Sequence, residues 1–206
     1  MWPGLPSGVQ RAAAGPLNTL IAGAAAIGVF DEGILQTFIP AAVRGGLDAS
    51  WAATALGIQS LAYVGGQVVG GWLSDRVGRR PVGIVAALVV GGGVVAAIGL
   101  VSSSPGLAIA GIVAHGVGTG ATIAVRSAAF SDVFGGANFG TIFGLLAVAY
   151  PIGGTLAVYV GAVALDRTGS SLALIPLVLV ALGVWIVSLW IAGPRKRRGA
   201  GLPAAA

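Results

Sequence analysis

Six acidic side chains, eleven basic ones and a single histidine hold nearly all the ionisable chemistry of these 206 residues, and four of these groups interrupt runs that are otherwise apolar. Asp31 and Glu32 fall within one such run and His115 within another, while Arg126 closes the second. A charge inside an apolar span is costly, so each of the four is a functional candidate. Burial raises the pKa of a carboxyl group until it can carry a proton near neutral pH, and an unperturbed histidine titrates near 6.5. Glu32 or Asp31 together with His115 can therefore form a proton-coupling site. On a helix Glu32 shares a face with Gly28 and Gln36, whereas Asp31 shares one with Ile27, Ile34 and Phe38, so Glu32 is the first choice and Asp31 the second. The plainer alternatives are a Glu32 that reaches water at the outer end and a His115 that only hydrogen-bonds a nearby carbonyl. Arg126 either snorkels to headgroups or grips a carboxylate solute bidentately. Gln59 and Tyr150 are weaker polar candidates, Tyr150 being a hydrogen-bond donor to a solute or simply core.

A second concentration of charge lies in the segment from Gly70 to Pro81, which contains Asp75, Arg76, Arg79 and Arg80. Asp75 is suited to accept hydrogen bonds from a helix N-terminus, where the macrodipole favours an anion. Arg76, Arg79 and Arg80 can pair with carboxylates on the same membrane face, where Asp132 is the other candidate. Such contacts would latch one side of the protein shut in one state and break in another. The alternative is a turn whose charges only set topology.

The elements that must position these groups are set by a membrane. Charged residues make up 8% of the chain, against about 25% in soluble domains, and the mean hydropathy is +0.97. A spanning helix needs about 20 mostly apolar residues. Punctuation by Pro, Gly, Ser and charge yields six such runs, near 17–40, 52–73, 82–102, 106–126, 139–161 and 172–193. Barrel strands would alternate over about ten residues, whereas Val82 to Val101 is apolar on every face. The expected fold is an all-α membrane protein with residues 1–16 as a cytoplasmic segment, 17–193 as a six-helix domain and 194–206 as a basic cytoplasmic tail. If Glu32 lies in the 17–40 span, it sits about 5 Å outward of the midpoint, a depth similar to that of His115. Gly66 with Gly70, Gly116 with Gly120 and Gly140 with Gly144 have the spacing that lets helices approach closely in lipid. Pro151 should kink the fifth span.

Orientation follows from the basic residues. With the Asp75 segment inside, Arg11, Arg76, Arg79, Arg80, Arg195, Lys196, Arg197 and Arg198 are cytoplasmic, against Arg44 and Arg167 outside. That bias places both termini in the cytoplasm and the protein in the plasma membrane. A net charge of +5 could suggest nucleic acid, but the basic residues sit at the ends of apolar runs, where they anchor to anionic lipid. Arg11 followed by an apolar run also resembles a signal peptide, yet the run continues past any cleavage point. The absence of cysteine excludes thiol chemistry, and no metal cluster, nucleophile elbow or phosphate loop is present, so no cofactor and no enzyme are expected.

The pattern Gly71-x-Leu73-x-Asp75-Arg76-x-Gly78-Arg79-Arg80 resembles the signature loop that the major facilitator superfamily places after the second span of each six-helix half. Asp132-Val133-Phe134-Gly135, then Asn138 to Gly144, then Asp166 to Ser170 resemble the C-terminal half of monocarboxylate and oxalate/formate-type members. The resemblance implies that the first and fourth helices line a central cavity, so that Glu32, Gln36, His115 and Arg126 face one space. It also implies a secondary transporter of a small polar or anionic solute, proton-coupled or exchanging. Monocarboxylate members carry an Asp and Arg pair on the second span of this half. Here that span offers Gln59, Tyr63 and Gln67, which weakens the case for a carboxylate solute. Facilitator halves share one orientation, so two copies of a six-span unit could rebuild the full carrier as a homodimer. A split transporter with a second chain, a truncated product or a non-transporting subunit are the other expectations.

Overall fold

Four of the six apolar runs form helices that outlast them. The computed structural model describes the backbone of residues 7–99, 103–134, 139–170, 172 and 175–192, and the side chains among these except at 7–18, 30–36, 133–134, 141–142, 145–146 and 192. The described residues form six α-helices: α1 (Ser7–Arg44), α2 (Ala49–Val77), α3 (Arg79–Gly99), α4 (Pro105–Phe134), α5 (Phe139–Thr168) and α6 (Ile175–Ala192). Charged residues at the span ends do not stop a helix, because its backbone stays bonded as it enters the headgroups. What stops α2 is Gly78, whose φ of 113° is open to glycine and whose N–H bonds the Ser74 carbonyl at 3.0 Å. The turn within the Gly70–Pro81 segment is thus a single residue between two helices. At its other end α2 is capped by Asp48, whose carboxylate accepts from the Ser50 N–H at 2.7 Å. That bond holds the carboxyl below its ordinary pKa. Pro105 opens α4, where a missing N–H costs nothing.

Among the described residues three segments are long and apolar enough to cross a bilayer, Arg79–Gly99, Pro105–Asp132 and Ala147–Thr168, and Thr19–Val29 and Ile175–Ile191 are shorter apolar stretches. Large apolar side chains stand exposed on the outer surface, among them Leu61, Val68, Leu88 and Val180. In water such a surface would drive aggregation; in lipid it is the solvated face.

Helix α4 packs between α2 and α3, α1 packs between α5 and α6, and α3 meets α6. The plan maps onto itself when α1, α2 and α3 are exchanged for α4, α5 and α6. Glycines make the closest crossings possible. A Cβ on Gly120 would overlap the Tyr63 carbonyl oxygen, and one on Gly66 would overlap that of Val117, which locks α2 to α4. The same interlock recurs between α1 and α5, where Gly28 abuts the Tyr150 carbonyl and Gly153 that of Ala25. Gly70 and Gly116 close the α2 and α4 contact as expected, but Gly140 and Gly144 have no neighbour within 4 Å of a Cβ position. Their spacing marks no packing contact in this unit. Helix α5 runs unbroken through Pro151.

The core runs from Phe38, stacked on Trp51 at 6.3 Å, through Val90 and Ile112 to Trp185, the largest side chain that is fully buried.

Candidate functional site

Two groups of polar side chains stand out against this apolar frame. The first gathers where α2, α3, α4 and α6 end on one face. Arg79, the first residue of α3, donates from Nε to Asp132 Oδ2 at 3.1 Å, from Nη1 to Ser74 Oγ at 2.7 Å, and from Nη1 to Asp75 Oδ1. The turn at Gly78 folds Arg79 back over the end of α2, and the packing of α3 on α4 brings Asp132 within reach. The Arg79 side chain is 19% exposed, whereas Asp75 and Asp132 are 66% and 41% exposed, so the cation is the inner member of the group. Asp75 lies within the last turn of α2 and accepts from the side chain of Arg79, at the start of α3.

Ser74 was not among the residues singled out from the sequence. It is buried, donates to the Gly71 carbonyl at 2.8 Å and accepts from Arg79. Its place beside Asp75 within the signature pattern was the available signal. Arg76 and Arg80 take other partners: Arg76 lies 4.3 Å above the Trp72 ring and Arg80 5.0 Å from the Trp190 ring. Gly71 is not forced by space, since a Cβ there would meet only Ala124 at 3.9 Å.

The second group runs down one face of α4. His115, Thr119, Thr122 and Arg126 recur at helical spacing, and the first three are completely buried. Thr119 Oγ1 lies 3.5 Å from His115 Nε2, and the Thr122 hydroxyl is buried without a hydrogen-bond partner. Arg126 is half-buried two turns inside the helix end, with its guanidinium 5.3 Å from the Tyr150 ring on α5. Arg126 and Tyr150 are thereby brought together. His115 packs within the six-helix unit itself, its backbone against Gly93 of α3. Thr119 and Thr122 escaped notice in the sequence because a threonine pair in an apolar run is unremarkable until its face is known. Gln59 is buried on α2, where its carbonyl meets Gly116 and its Oε1 accepts from Ser60 at 3.5 Å, away from Arg126 and Tyr150.

Asp31, Glu32 and Gln36 lie on α1, and their side chains fall outside the described residues. The α1 backbone at Gly28, one turn before Glu32, rests on the Tyr150 carbonyl.

A helical bundle with exposed apolar walls, an arginine-centred ion cluster at one end and a buried polar stripe has the make-up of a membrane protein. The sequence matches the profile of the Major Facilitator Superfamily over residues 21–206, and the chain belongs to that superfamily, whose members are transporters. No curated protein matched the chain.

Proposed function

We propose that the chain is a secondary transporter that moves a small polar or anionic solute across the plasma membrane by alternating access. Six spans with both termini cytoplasmic form one unit, which works against a second six-helix unit, in the first instance another copy of the same chain. The observation that carries the reading is the Arg79 cluster. A single partly buried cation binds carboxylates from two different helices on one membrane face, and breaking those bonds would release that face. Arg126, a cation held two turns inside α4 beside Tyr150, favours an anionic or polar solute, because a guanidinium matches the geometry of a carboxylate. Glu32 and His115 are the proposed proton-coupling pair.

Uptake into proteoliposomes, measured for a panel of labelled carboxylates and neutral polar solutes with and without a pH gradient, tests the reading. Gradient-stimulated uptake that is lost in Glu32→Gln supports coupling. A chain that reconstitutes fully and moves none of the panel points to a non-transporting subunit. Its mass in nanodiscs reports one copy, two copies or a mixed pair.

A further inference from the structure

Arg80 does not share the partners of Arg79. It reaches α6, donating from Nε to the Leu189 carbonyl at 3.3 Å and from Nη2 to the Trp190 carbonyl at 3.0 Å. Its guanidinium also faces the Trp190 ring at 5.0 Å. Both carbonyls lie in the last turn of α6. Arg80 thereby places a cation at the end of α6 where the helix dipole is negative. Successive residues on a helix diverge by about 100°. Arg79 and Arg80 therefore leave the first turn of α3 in different directions, one toward α2 and α4 and the other toward α6, in keeping with the packing of α3 against α4 and α6.

We propose that Arg79 and Arg80 form a two-armed clasp in which Arg80 is a positioning residue, tying the inner end of α6 to the state of the Asp75–Arg79–Asp132 cluster. The Cα atoms of the two arginines are one peptide apart, about 3.8 Å. The start of α3 cannot withdraw from α4 far enough to free Arg79 without pulling Arg80 off the α6 carbonyls. Opening at Asp132 is thus transmitted to the end of α6, from which the rest of the chain continues. The coupling is mechanical and independent of which solute is carried.

The test needs no solute, and the absence of cysteine makes it clean. Ile191→Cys, at an exposed position of the last α6 turn, is reacted with a membrane-impermeant maleimide in full-length protein in nanodiscs. Arg80→Gln should speed labelling on the order of tenfold, as expected for the loss of two charge-assisted bonds. Trp190→Leu leaves both carbonyl bonds and should change the rate by less than about twofold. The decisive variant is Asp132→Asn, which touches neither Arg80 nor α6 and should still speed labelling at position 191 by about threefold or more. A Ser131→Cys probe at the exposed end of α4 reports that this variant has opened the Arg79 side. Faster labelling at 131 with an unchanged rate at 191 would make the arms independent and overturn the clasp. If Arg80→Gln fails to accumulate, the Asp132→Asn pair of rates decides the matter alone.

Discussion

Gly65 and Gly66 are neighbours on one helix with opposite surroundings, and together they test whether the α2 and α4 crossing holds the unit together. A Cβ at Gly65 has nothing within 4 Å, whereas a Cβ at Gly66 would lie 2.8 Å from both the Cα and the carbonyl carbon of Val117 and overlap its oxygen. Carbon atoms settle at about 3.5–4.0 Å, so Gly66→Ala must push the two helices apart by roughly 1 Å or bend one of them. Overpacking of this kind costs about 1–3 kcal/mol. Gly65→Ala introduces no clash and recovers about 0.5–1 kcal/mol of the backbone entropy that glycine loses on entering a helix. The adjacent substitutions should therefore differ by about 1.5–4 kcal/mol and in sign. At about 2–4 °C per kcal/mol for a chain of this size, thermal unfolding in detergent should separate them by roughly 3–16 °C. The five tryptophans provide the fluorescence signal. Equal midpoints for the two variants, or a stabilised Gly66→Ala, would mean that α2 and α4 do not cross at this register.

Three further outcomes follow from the same contacts. Asp75 is 66% exposed, so its pairing with Arg79 contributes at most about 1 kcal/mol, and Asp75→Asn should leave the unfolding midpoint nearly unchanged while it cuts transport; undiminished uptake would remove Asp75 from the latch. His115 is fully buried, so His115→Ala should destabilise the fold by about 2–5 kcal/mol, whereas His115→Gln, closer in volume, should fold and lose the gradient-dependent part of uptake. Pro151 deprives α5 of one backbone donor, and Pro151→Ala should raise the unfolding midpoint by the few degrees that about 1 kcal/mol produces while it slows solute exchange; a lower midpoint would show that the α5 backbone cannot relax around the new N–H.

The helices were legible because apolar length is a one-dimensional property. The runs near 52–73 and 106–126 lie within α2 and α4, and the errors are confined to ends, where charged side chains can sit on either a helix or a turn. Those errors had consequences for chemistry. Because α4 continues to Phe134, Arg126 stands two turns inside the helix and beside Tyr150 rather than at its rim. The partnership of Arg79 with Asp132 was within reach of the sequence, since opposite charges on one membrane face are few. The partnership of Arg80 was not, because its acceptors are main-chain carbonyls of α6 and any residue type could have supplied them.

The same reasoning explains why the repeat within the chain is faint in sequence and plain in structure. Where a helix crosses another at a glycine, what fits into the gap is a carbonyl group, and only the glycine is fixed in type. Tyr63 with Gly66 and Tyr150 with Gly153 preserve the same spacing on α2 and α5, while their counterparts Val117 with Gly120 and Ala25 with Gly28 share the glycine alone. The two crossings are not equivalent, however. That of α2 on α4 is closed by Gly66, Gly70, Gly116 and Gly120 together, whereas that of α1 on α5, among the described residues, brings Gly28 against Tyr150 and Gly154 and Gly153 against Ala25, and carries Pro151 next to the Tyr150 carbonyl. The backbone bond missing at Pro151 makes the α1 and α5 crossing the more compliant of the two. It is also the crossing one turn from Glu32 and adjoining Arg126, so the part of the unit that yields most easily is the part that bears the candidate solute-binding and proton-binding residues.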